Sequence, residues 1–369
     1  MRVALIHDWL TGMRGGEKCL EVFCELFPGA DLFTLVHKRG SVSQTIERMT
    51  IHTSFVQRLP RSASRYRKYL PFFPTAIEQF DLREFDLVLS SSHCAAKGII
   101  PRPGALHVCY CHTPMRYVWD VYHDYFGPEQ RGIIARRLIP FFANYLRTWD
   151  VAASHRVDDF IANSEHVRQR IRRYYRRDAE VIYPPVDTAQ FPLTVGDDGY
   201  FLIVSALVPY KRIELAIEAF NRLDDRLVVV GEGPRRAALQ KMAKKNIEFV
   251  GWQKQDDLVR YYARCRALVF PGIEDFGIVP VEAQACGKPV IAFAAGGALE
   301  TVKGPDTPDK ISTGILFDNP RPEGLIEAVD RFKSFEFDPQ KIQQHARQFD
   351  REIFKIKIKR FIGKKYAEH

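Results

Sequence analysis

The sequence predicts an α/β protein that contains two doubly wound parallel sheets. Two observations lead to this fold class. Short apolar runs of strand length alternate with segments of helical hydrophobic period, and loops that contain glycine or proline separate them. This alternation stops at Pro184-Pro185 and begins again near residue 200. Such repetition is typical of parallel sheets that are covered by helices on both faces.

The predicted elements follow from the order of these runs. In the first half, strands are predicted at residues 2–9, 85–90, 106–110, 159–163 and 180–183. In the second half, strands are predicted at residues 200–206, 227–230, 247–250, 266–270 and 289–293. Helical patterns follow the first strand up to residue 27, and in the second half they occupy residues 213–223, 256–265 and 278–285. Ser164 is a favourable N-cap for a basic helix that extends to residue 177.

The proline pair at 184–185 marks the predicted domain boundary, because consecutive prolines interrupt regular structure. The chain has 369 residues, a length that suits two domains of ordinary size. We therefore expect a first domain at residues 1–185 and a second at residues 186–349. The remaining residues, 350–369, are charged and have a helical pattern.

Composition argues against several classes of protein. Hydrophobic residues make up 46% of the chain, so global disorder is not expected. We find no apolar run that would span a bilayer, and the start MRVALIHDWL has the pattern of a strand rather than a signal peptide. Seven cysteines without a Cys-x-x-Cys spacing indicate reduced thiols in a cytosolic protein. Cys109 and Cys111 alternate along a strand, and the carboxylates form no compact cluster, so no metal is expected.

Residues 270–288, FPGIEDFGIVPVEAQACGK, contain the principal candidate site. Glu274 follows a predicted strand, and Glu282 is placed about two turns into the predicted helix 278–285. Ligands of open α/β sheets bind outside the carboxyl ends of the strands, and the first turns of a helix offer N–H groups to anionic ligands. Two carboxylates beside such amides predict a ligand that has both hydroxyl and anionic groups.

Two predicted strand ends in the first half carry further candidates. Gly15 and Gly16 lie in a strand–turn–helix unit whose backbone amides can approach a phosphate, although the pattern is neither G-x-G-x-x-G nor a Walker A loop. His112 follows strand 106–110, where an imidazole can orient a sugar hydroxyl or pair with a phosphate. His93 and His107 are expected to be structural.

In the second half, Lys211 and Arg212 follow strand 200–206. Their position at a strand end predicts that they face the same crevice as the carboxylates. Two cations at that place would neutralise the anionic groups of such a ligand.

The spacing of Glu274 and Glu282, with Phe276-Gly277 between them, resembles the E-x7-E signature of retaining family 4 glycosyltransferases of the GT-B fold. The resemblance implies that Glu282 binds the nucleotide ribose and that Glu274 lies against the donor sugar. It also implies that the amides of Gly277, Ile278 and Val279 meet the sugar and the diphosphate.

Other parts of the chain resemble the same family. The Gly15-Gly16 pair resembles the glycine pair of its amino-terminal loop, and the His-Thr-Pro context of His112 resembles its histidine over the donor sugar. The resemblance places His112, Lys211 and Glu274 at the reacting groups. It places the nucleotide near two short segments, Gly231-Glu232-Gly233 and Gly251-Trp252. The sequence departs from the family at position 206, an alanine where an arginine is common, and Arg212 is expected to compensate.

The resemblance implies two Rossmann-like domains facing across a cleft, with the C-terminal helix crossing back to the first domain. It implies glycosyl transfer with retention, without a cofactor, through orientation and charge stabilisation. The donor is expected to be GDP-mannose, as in mannosyltransferases of bacterial surface-polysaccharide assembly, and the acceptor a saccharide or a lipid-linked saccharide. A UDP-sugar donor and a nucleotide-sugar epimerase of the same fold remain alternatives.

A basic segment at residues 58–73 leads to a further expectation. Five basic residues precede Tyr69, Phe72 and Phe73 there, and the net charge of the chain is +9. These three rings are expected to insert shallowly into a lipid surface. This composition favours an anionic membrane surface as a partner, and we expect a cytoplasmic protein that is peripheral on the inner face of the membrane. Nucleic acid is the competing partner, but the arginines form no known recognition module, and two glutamates would repel phosphate. A solvated basic helix is the simplest alternative.

Overall fold

The computed structural model describes residues 1–120, 133–305 and 311–369. For residues 133–138 it describes the helical backbone but not the side chains. Residues 116–150, which are rich in aromatic residues and arginine, therefore lie partly outside the described residues. The chain divides into two compact units. One consists of Met1–Pro185 together with Phe354–His369, and the other of Val186–Ile353.

The first unit is built on a seven-stranded parallel sheet with the order β3-β2-β1-β4-β5-β6-β7. Its strands are β1 Val3–His7, β2 Asp31–Thr34, β3 Thr50–Thr53, β4 Leu87–Ser92, β5 Leu106–Cys111, β6 Asp159–Ala162 and β7 Glu180–Val181. Strands β1, β4 and β5 are buried along their whole length, as expected for a sheet that is covered on both faces.

Helices cover both faces of this sheet. They are α1 Gly15–Leu26, α2 Gln44–Glu47, α3 Ser62–Arg65, α4 Phe73–Glu78, α5 Arg116–Trp119, α6 Ile133–Ser154 and α7 Glu165–Tyr175. Ser164 caps α7, since its hydroxyl accepts a hydrogen bond from the backbone N–H of Val167. Short 3₁₀ turns occupy Phe55–Arg58, Tyr66–Phe72 and Ala96–Gly98.

The second unit repeats the architecture with a six-stranded parallel sheet of order β10-β9-β8-β11-β12-β13. Its strands are β8 Tyr200–Val204, β9 Arg226–Val230, β10 Ile247–Gly251, β11 Ala267–Phe270, β12 Val290–Phe293 and β13 Gly314–Phe317. Its helices are α8 Ile213–Phe220, α9 Arg236–Met242, α10 Gln255–Arg264, α11 Ile278–Ala285, α12 Ala298–Thr301, α13 Pro322–Lys333 and α14 Pro339–Ala346. Further 3₁₀ turns occupy Thr188–Gln190, Pro209–Lys211 and Arg347–Phe349.

The last helix, α15, occupies Arg351–Glu368, and most of it belongs to the first unit. Four of its side chains join the hydrophobic core beneath β1, β4 and β5: Phe354, Ile358, Phe361 and Ile362. The ring of Phe354 stacks on that of Phe23 in α1 at 5.8 Å between centroids. Burial of these aromatic and aliphatic groups attaches the C-terminal segment to the N-terminal sheet.

The predicted fold class is confirmed, since both sheets are parallel and helices separate their strands. Three strands were missed. β2 and β13 have four residues each, which is short for periodicity to reveal. β3 is an edge strand in which Thr50, His52 and Thr53 are exposed and Ile51 alone packs against the core. Glu282 is the fifth residue of α11, so it lies little more than one turn into the helix and not two.

The basic segment differs from its prediction in one respect. The side chains of Arg58, Arg61, Arg65, Arg67 and Lys68 are exposed, as expected. Of the aromatic residues that follow, Phe72 is 52% exposed, but Phe73 is fully buried in the core and Tyr69 packs against that core. The expectation that Phe73 would insert into a lipid surface is therefore wrong, because the ring is part of the packing under β1 and β4.

Candidate functional site

Both sheets reverse their strand order at a central pair of strands, and the candidate residues follow these pairs. In the first sheet the pair is β1 and β4, and in the second it is β8 and β11. Helices on opposite faces diverge at such a switch point, and this leaves a crevice outside the carboxyl ends of the strands. Lys211 and Arg212 follow β8, whereas Glu274 and Glu282 follow β11. The sequence-predicted residues of the second unit thus come from the loops that border this position.

Glu282 lies on α11 with only 5% of its surface exposed. The phenol of Tyr262, on the neighbouring helix α10, donates a 2.8 Å hydrogen bond to its Oε2. Burial, followed by the charge of Glu282, raises the pKa of Tyr262 well above its ordinary value. Tyr262 therefore stays protonated at neutral pH and acts as a permanent donor that orients the carboxylate.

The turn before α11 is held in place by the glycine-containing loop that follows β12. Gly277 has a φ of +89°, a left-handed conformation that favours glycine. The N–H of Gly297 donates a 2.9 Å hydrogen bond to the carbonyl of Glu274. A Cβ on Gly297 would lie 2.2 Å from the carbonyl oxygen of Phe276, so only glycine permits this approach. The loop that carries Glu274 and opens α11 is thereby fixed to the end of β12.

Lys211 and Glu274 form an ion pair between the loops that follow β8 and β11. The backbone supports the pair, because Gly272 has no side chain: a Cβ there would be 3.1 Å from the Cα of Lys211. Both side chains are less than one-fifth exposed. Partial burial strengthens the attraction between the ammonium and the carboxylate. The ion pair therefore holds the flexible side chain of Lys211 at the predicted position of the diphosphate.

Arg212 lies beside this pair in an unusual conformation. Its φ is +53°, which places a non-glycine residue in the left-handed region at the start of α8. The guanidinium stacks over the ring of Phe293 at 5.0 Å. Within the described part of the chain, its buried Nη1 has no hydrogen-bond partner. Strain and an unpaired buried N–H in one residue are frequent at functional sites.

The segments Gly231-Glu232-Gly233 and Gly251-Trp252 come together at the ends of β9 and β10. A Cβ on Gly251 would lie 3.0 Å from Oε1 of Glu232, and Glu232 forms an ion pair with Arg236. Both Gly231 and Gly233 approach backbone carbonyls so closely that a Cβ would overlap with them. Trp252 is 70% exposed, so its indole is available for contact with a flat ring.

In the first unit, His112 and Gly16 are neighbours. A Cβ on Gly16 would lie 3.6 Å from Nε2 of His112 and 3.4 Å from the ring of His7. Gly15 is the first residue of α1, so the helix N-terminus begins beside the imidazoles. His112 follows β5 and is hydrogen-bonded through Nε2 to Oγ of Ser91 at 2.8 Å.

The structure places several titratable groups beside these residues that the sequence did not single out. Asp8, at the end of β1, is fully buried and accepts hydrogen bonds from the backbone N–H groups of residues 93–96. It also pairs with Nδ1 of His93 at 3.0 Å. Burial raises the pKa of Asp8, but the charge of His93 and the hydrogen bonds lower it by more, so that it lies well below its ordinary value. The sequence feature that could have identified Asp8 is its position directly after the first predicted strand.

His93 and His107 have different environments. His107 is buried, its Nε2 bonds to Ser90 at 2.9 Å, and burial lowers its pKa to about 4. It is a neutral structural histidine, in agreement with the sequence-based expectation. His93 lies within 6.3 Å of His112 between ring centroids, and it is therefore part of the group around Gly16.

Among the described residues, no group of three or more His, Cys, Asp or Glu side chains could hold a metal ion. The seven cysteines, all of which are described, are buried and form no disulfide. In the same residues, no helix is both long enough and apolar enough to cross a bilayer.

Two family models match the chain. The model for Glycosyltransferase Family 4 matches residues 29–190, and the model described as glycosyl transferases group 1 matches residues 187–349. The first contains the strand ends of β4 and β5, and the second contains Lys211, Glu274 and Glu282.

Curated relatives match shorter stretches. An uncharacterized glycosyltransferase of Methanocaldococcus jannaschii is 32% identical over 39% of this chain and 42% of its own length. An O-antigen chain mannosyltransferase C of Escherichia coli is 28% identical over 44% of each chain. A GDP-mannose-dependent monoacylated alpha-(1-6)-phosphatidylinositol monomannoside mannosyltransferase of Corynebacterium glutamicum is 33% identical over 34% of this chain and 35% of its own. The chain thus spans less than half the length of these relatives.

Solved structures match the whole chain. Sucrose-phosphate synthase from Thermosynechococcus elongatus superimposes with a TM-score of 0.72 at 17% identity, covering 100% of both chains. Anabaena HepE in complex with UDP superimposes with a TM-score of 0.67 at 18% identity, covering 99% of this chain and 100% of HepE. At such identities the likeness shows the fold. The chain is therefore similar to Glycosyltransferase Family 4 over residues 29–190 and to glycosyl transferases group 1 over residues 187–349, and it has the GT-B fold of these solved structures.

Proposed function

We propose that this chain is a retaining glycosyltransferase that moves mannose from GDP-mannose onto a glycan or a lipid-linked saccharide. The observation that carries the proposal is that the ion pair of Lys211 with Glu274 and the hydrogen bond of Tyr262 to Glu282 both involve the segment that follows β11, at the switch point of the second sheet. A nucleotide sugar presents hydroxyl groups and a diphosphate, and this position offers oriented carboxylates and cations for both.

The donor would bind the second unit. Glu282, oriented by Tyr262, would accept hydrogen bonds from the ribose hydroxyls, and Glu274 would contact the sugar. Lys211 and Arg212 would face the diphosphate, together with the N–H groups of the first turn of α11. The base would lie near the exposed Trp252, close to Gly251 and the loop that contains Glu232.

The mechanism would depend on orientation and on charge stabilisation. As the bond between the sugar and the diphosphate breaks, negative charge grows on the leaving phosphate, and Lys211 and Arg212 are cations that stabilise it. When the diphosphate attracts the ammonium of Lys211, the ion pair between Lys211 and Glu274 weakens, and the carboxylate of Glu274 becomes available to the sugar. In the first unit, His112 would orient a sugar hydroxyl.

The choice of mannose rests on relatives. Two of them are named mannosyltransferases, and one of these names specifies GDP-mannose. The second candidate is a UDP-sugar donor, which is favoured by the similarity to HepE, since that protein was solved with UDP. For the acceptor, the exposed basic residues at 58–68 and the ring of Phe72 favour a carrier at an anionic membrane surface on the cytoplasmic side.

A thermal-shift panel of GDP, UDP, ADP and their sugars tests the donor. A nucleotide at one hundred times its dissociation constant adds about 2.7 kcal/mol to the free energy of unfolding. We expect GDP and GDP-mannose to raise the melting temperature more than the other nucleotides do. A larger shift with UDP-sugars would select the second candidate.

Assays with the selected donor separate the remaining alternatives. Retention predicts that the anomeric configuration of the product equals that of the donor, and NMR of the product measures it directly. An epimerase would convert the nucleotide sugar without an acceptor. Binding to random duplex DNA that weakens steeply with salt, without any nucleotide-induced shift, would indicate a nucleic-acid-binding protein instead.

A further inference from the structure

A chain of polar groups connects His112 to Glu17 inside the first unit. Nε2 of His112 lies 2.8 Å from Oγ of Ser91, and the same Oγ lies 3.1 Å from Nδ1 of His7. Nε2 of His7 lies 3.9 Å from Oε1 of Glu17. His7 and Ser91 are fully buried, and Glu17 is 3% exposed. Water therefore has little access to any link between the imidazole and the carboxylate.

The hydroxyl of Ser91 has one proton to share between two imidazoles. If Nδ1 of His7 donates to Oγ, the hydroxyl donates to Nε2 of His112, and neutral His112 must carry its proton on Nδ1. If the hydroxyl donates to Nδ1 of His7, then Nε2 of His112 carries the proton and donates to Oγ. The direction of this hydrogen-bonded chain thus decides whether Nδ1 of His112 offers a proton or a lone pair.

The carboxylate of Glu17 favours one direction. Within the described residues, Nε2 of His7 has no hydrogen-bond partner, and the nearest acidic group is Glu17. Burial raises the pKa of Glu17, but the adjacent His7 lowers it by more, so Glu17 remains ionised at neutral pH. A negative charge attracts a proton to Nε2 of His7. In neutral His7 this leaves a lone pair on Nδ1, which accepts from Ser91.

Other charged and titratable groups also face His7 and His112. Asp8 and His93 lie next to His7, and the ring of Tyr110 lies 5.1 Å from that of His112. Asp8 is engaged by His93 and by four backbone N–H groups. The charge of Asp8 is therefore satisfied by these partners, whereas the carboxylate of Glu17 lies 3.9 Å from Nε2 of His7.

We propose that Glu17 acts as a positioning residue that, through His7 and Ser91, sets which ring nitrogen of His112 carries the proton. With neutral His7, His112 is protonated on Nε2 and presents a lone pair at Nδ1. The inference rests on and deepens the proposed function, in which His112 orients a sugar hydroxyl, because it assigns that imidazole a defined hydrogen-bonding role.

Glu17→Gln is a sharp test because it removes the charge and keeps the shape. Glu17 also accepts the N–H of Arg14 as part of the cap of α1, and the glutamine oxygen retains that bond. The measurement is the side-chain ¹⁵N chemical shifts of His112 in the protein without ligand, which distinguish the two neutral tautomers of the imidazole. We expect the preference for the Nε2–H tautomer to fall by roughly tenfold, since a charge about 4 Å away is worth at least that factor.

Two further variants complete the test. Ser91→Ala cuts the link, so it must abolish the preference, and Glu17→Gln must then have no additional effect. This variant also decides the question if Glu17→Gln does not fold. Glu47→Gln is the control, because its carboxylate faces His37 at 3.2 Å elsewhere in the same unit, and it should leave His112 unchanged. If Glu17 only caps α1, Glu17→Gln leaves the tautomer of His112 unaltered, and the inference is overturned.

Kinetics provide a second readout once a donor is identified. Glu17→Gln should lower kcat with the donor KM unchanged, because it alters the tautomer of His112 and no group that binds the donor. A matching rise in donor KM would indicate a structural role. The tautomer measurement needs neither nucleotide nor turnover. Failure of the proposed function would appear as an absence of nucleotide binding, and it is therefore distinguishable from failure of the relay.

Discussion

The phenol of Tyr262 donates a 2.8 Å hydrogen bond to the carboxylate of Glu282, between two helices of the second unit. A buried carboxylate that is held by a permanent donor cannot rotate freely. A ligand hydroxyl would therefore meet an acceptor whose orientation is set before binding, which reduces the entropy lost on association.

Replacement of either partner should weaken the binding of a nucleoside diphosphate. For Glu282→Ala we expect a loss of about 1.5–3 kcal/mol, the usual value of a hydrogen bond to a charged group. Tyr262→Phe removes only the orienting bond, so its loss should be about 0.5–1.5 kcal/mol. Isothermal titration calorimetry with the nucleotide selected by thermal shift measures both. Unchanged affinity in a folded Glu282→Ala protein would remove Glu282 from the site.

Lys211→Ala should weaken the binding of ligands that contain a diphosphate and leave the binding of the nucleoside part unchanged. Because Lys211 is one partner of an ion pair with Glu274, its removal leaves a partly buried carboxylate where the diphosphate is expected. We predict at least a tenfold loss of affinity for the sugar nucleotide, roughly the value of one charged hydrogen bond, and little change for the nucleoside monophosphate. Lys241→Ala, on the exposed surface of α9, is the control. Equal losses for both ligands would contradict this placement of Lys211.

Arg212→Gly separates the cation from the backbone that carries it. Glycine adopts the left-handed conformation of residue 212 without strain, which offsets the loss of the contact with Phe293. We expect the free energy of unfolding to change by less than about 1 kcal/mol while sugar-nucleotide affinity falls several-fold. Thermal denaturation and calorimetry on the same sample measure both quantities. Full affinity in this variant would mean that another group compensates for the arginine absent at position 206.

The sequence predicted the fold class and the long central strands because their apolar runs are continuous. It missed β3, whose side chains at Thr50 and Thr53 are exposed, because an edge strand buries too little to carry a hydrophobic pattern. It identified Glu282 but not Tyr262, which lies twenty residues away. The hydrogen bond between them exists only because α10 packs on α11. Likewise, Asp8 and Ser91 meet His93 and His112 only through the pairing of β1 with β4 and of β4 with β5.

Gly231, where a Cβ would overlap with the backbone, and Gly16, where a Cβ would have room, should respond differently to substitution. A Cβ on Gly231 would lie 1.9 Å from the carbonyl oxygen of Ser205, and its φ is +133°, so Gly231→Ala should destabilise the second unit by several kcal/mol, at the upper end of single-residue effects. Gly16 lies in α1 with only ordinary contacts to His7 and His112. Gly16→Ala should therefore fold and gain roughly 0.5–1 kcal/mol of helix stability.

Activity then shows whether the space beside Gly16 is used. If a donor group approaches the N-terminus of α1, the added methyl group should reduce turnover although the protein is more stable. Chemical denaturation and a transferase assay on the same preparation compare the two effects. A stable Gly16→Ala variant with full activity would show that Gly16 serves only the turn before the helix.

The last prediction concerns the exposed basic residues that precede Phe72. If the acceptor is carried by lipid, Arg61, Arg65, Arg67 and Lys68 should attract the protein to anionic bilayers, each by about 1 kcal/mol near the surface. Phe72 is the exposed ring of this segment, since Phe73 belongs to the core.

Co-sedimentation with vesicles of increasing anionic lipid content measures this attraction. Binding should rise with the anionic fraction, fall with added salt, and decrease strongly when the four basic residues are changed to serine. Phe72→Ser should cause a smaller decrease that does not depend on salt, because it removes shallow apolar insertion and no charge. Replacement of the exposed Lys241 and Lys245 of the second unit serves as a control for net charge. Binding that is indifferent to lipid charge and to the four substitutions would favour a soluble acceptor, and the arginines would then be solvated surface residues only.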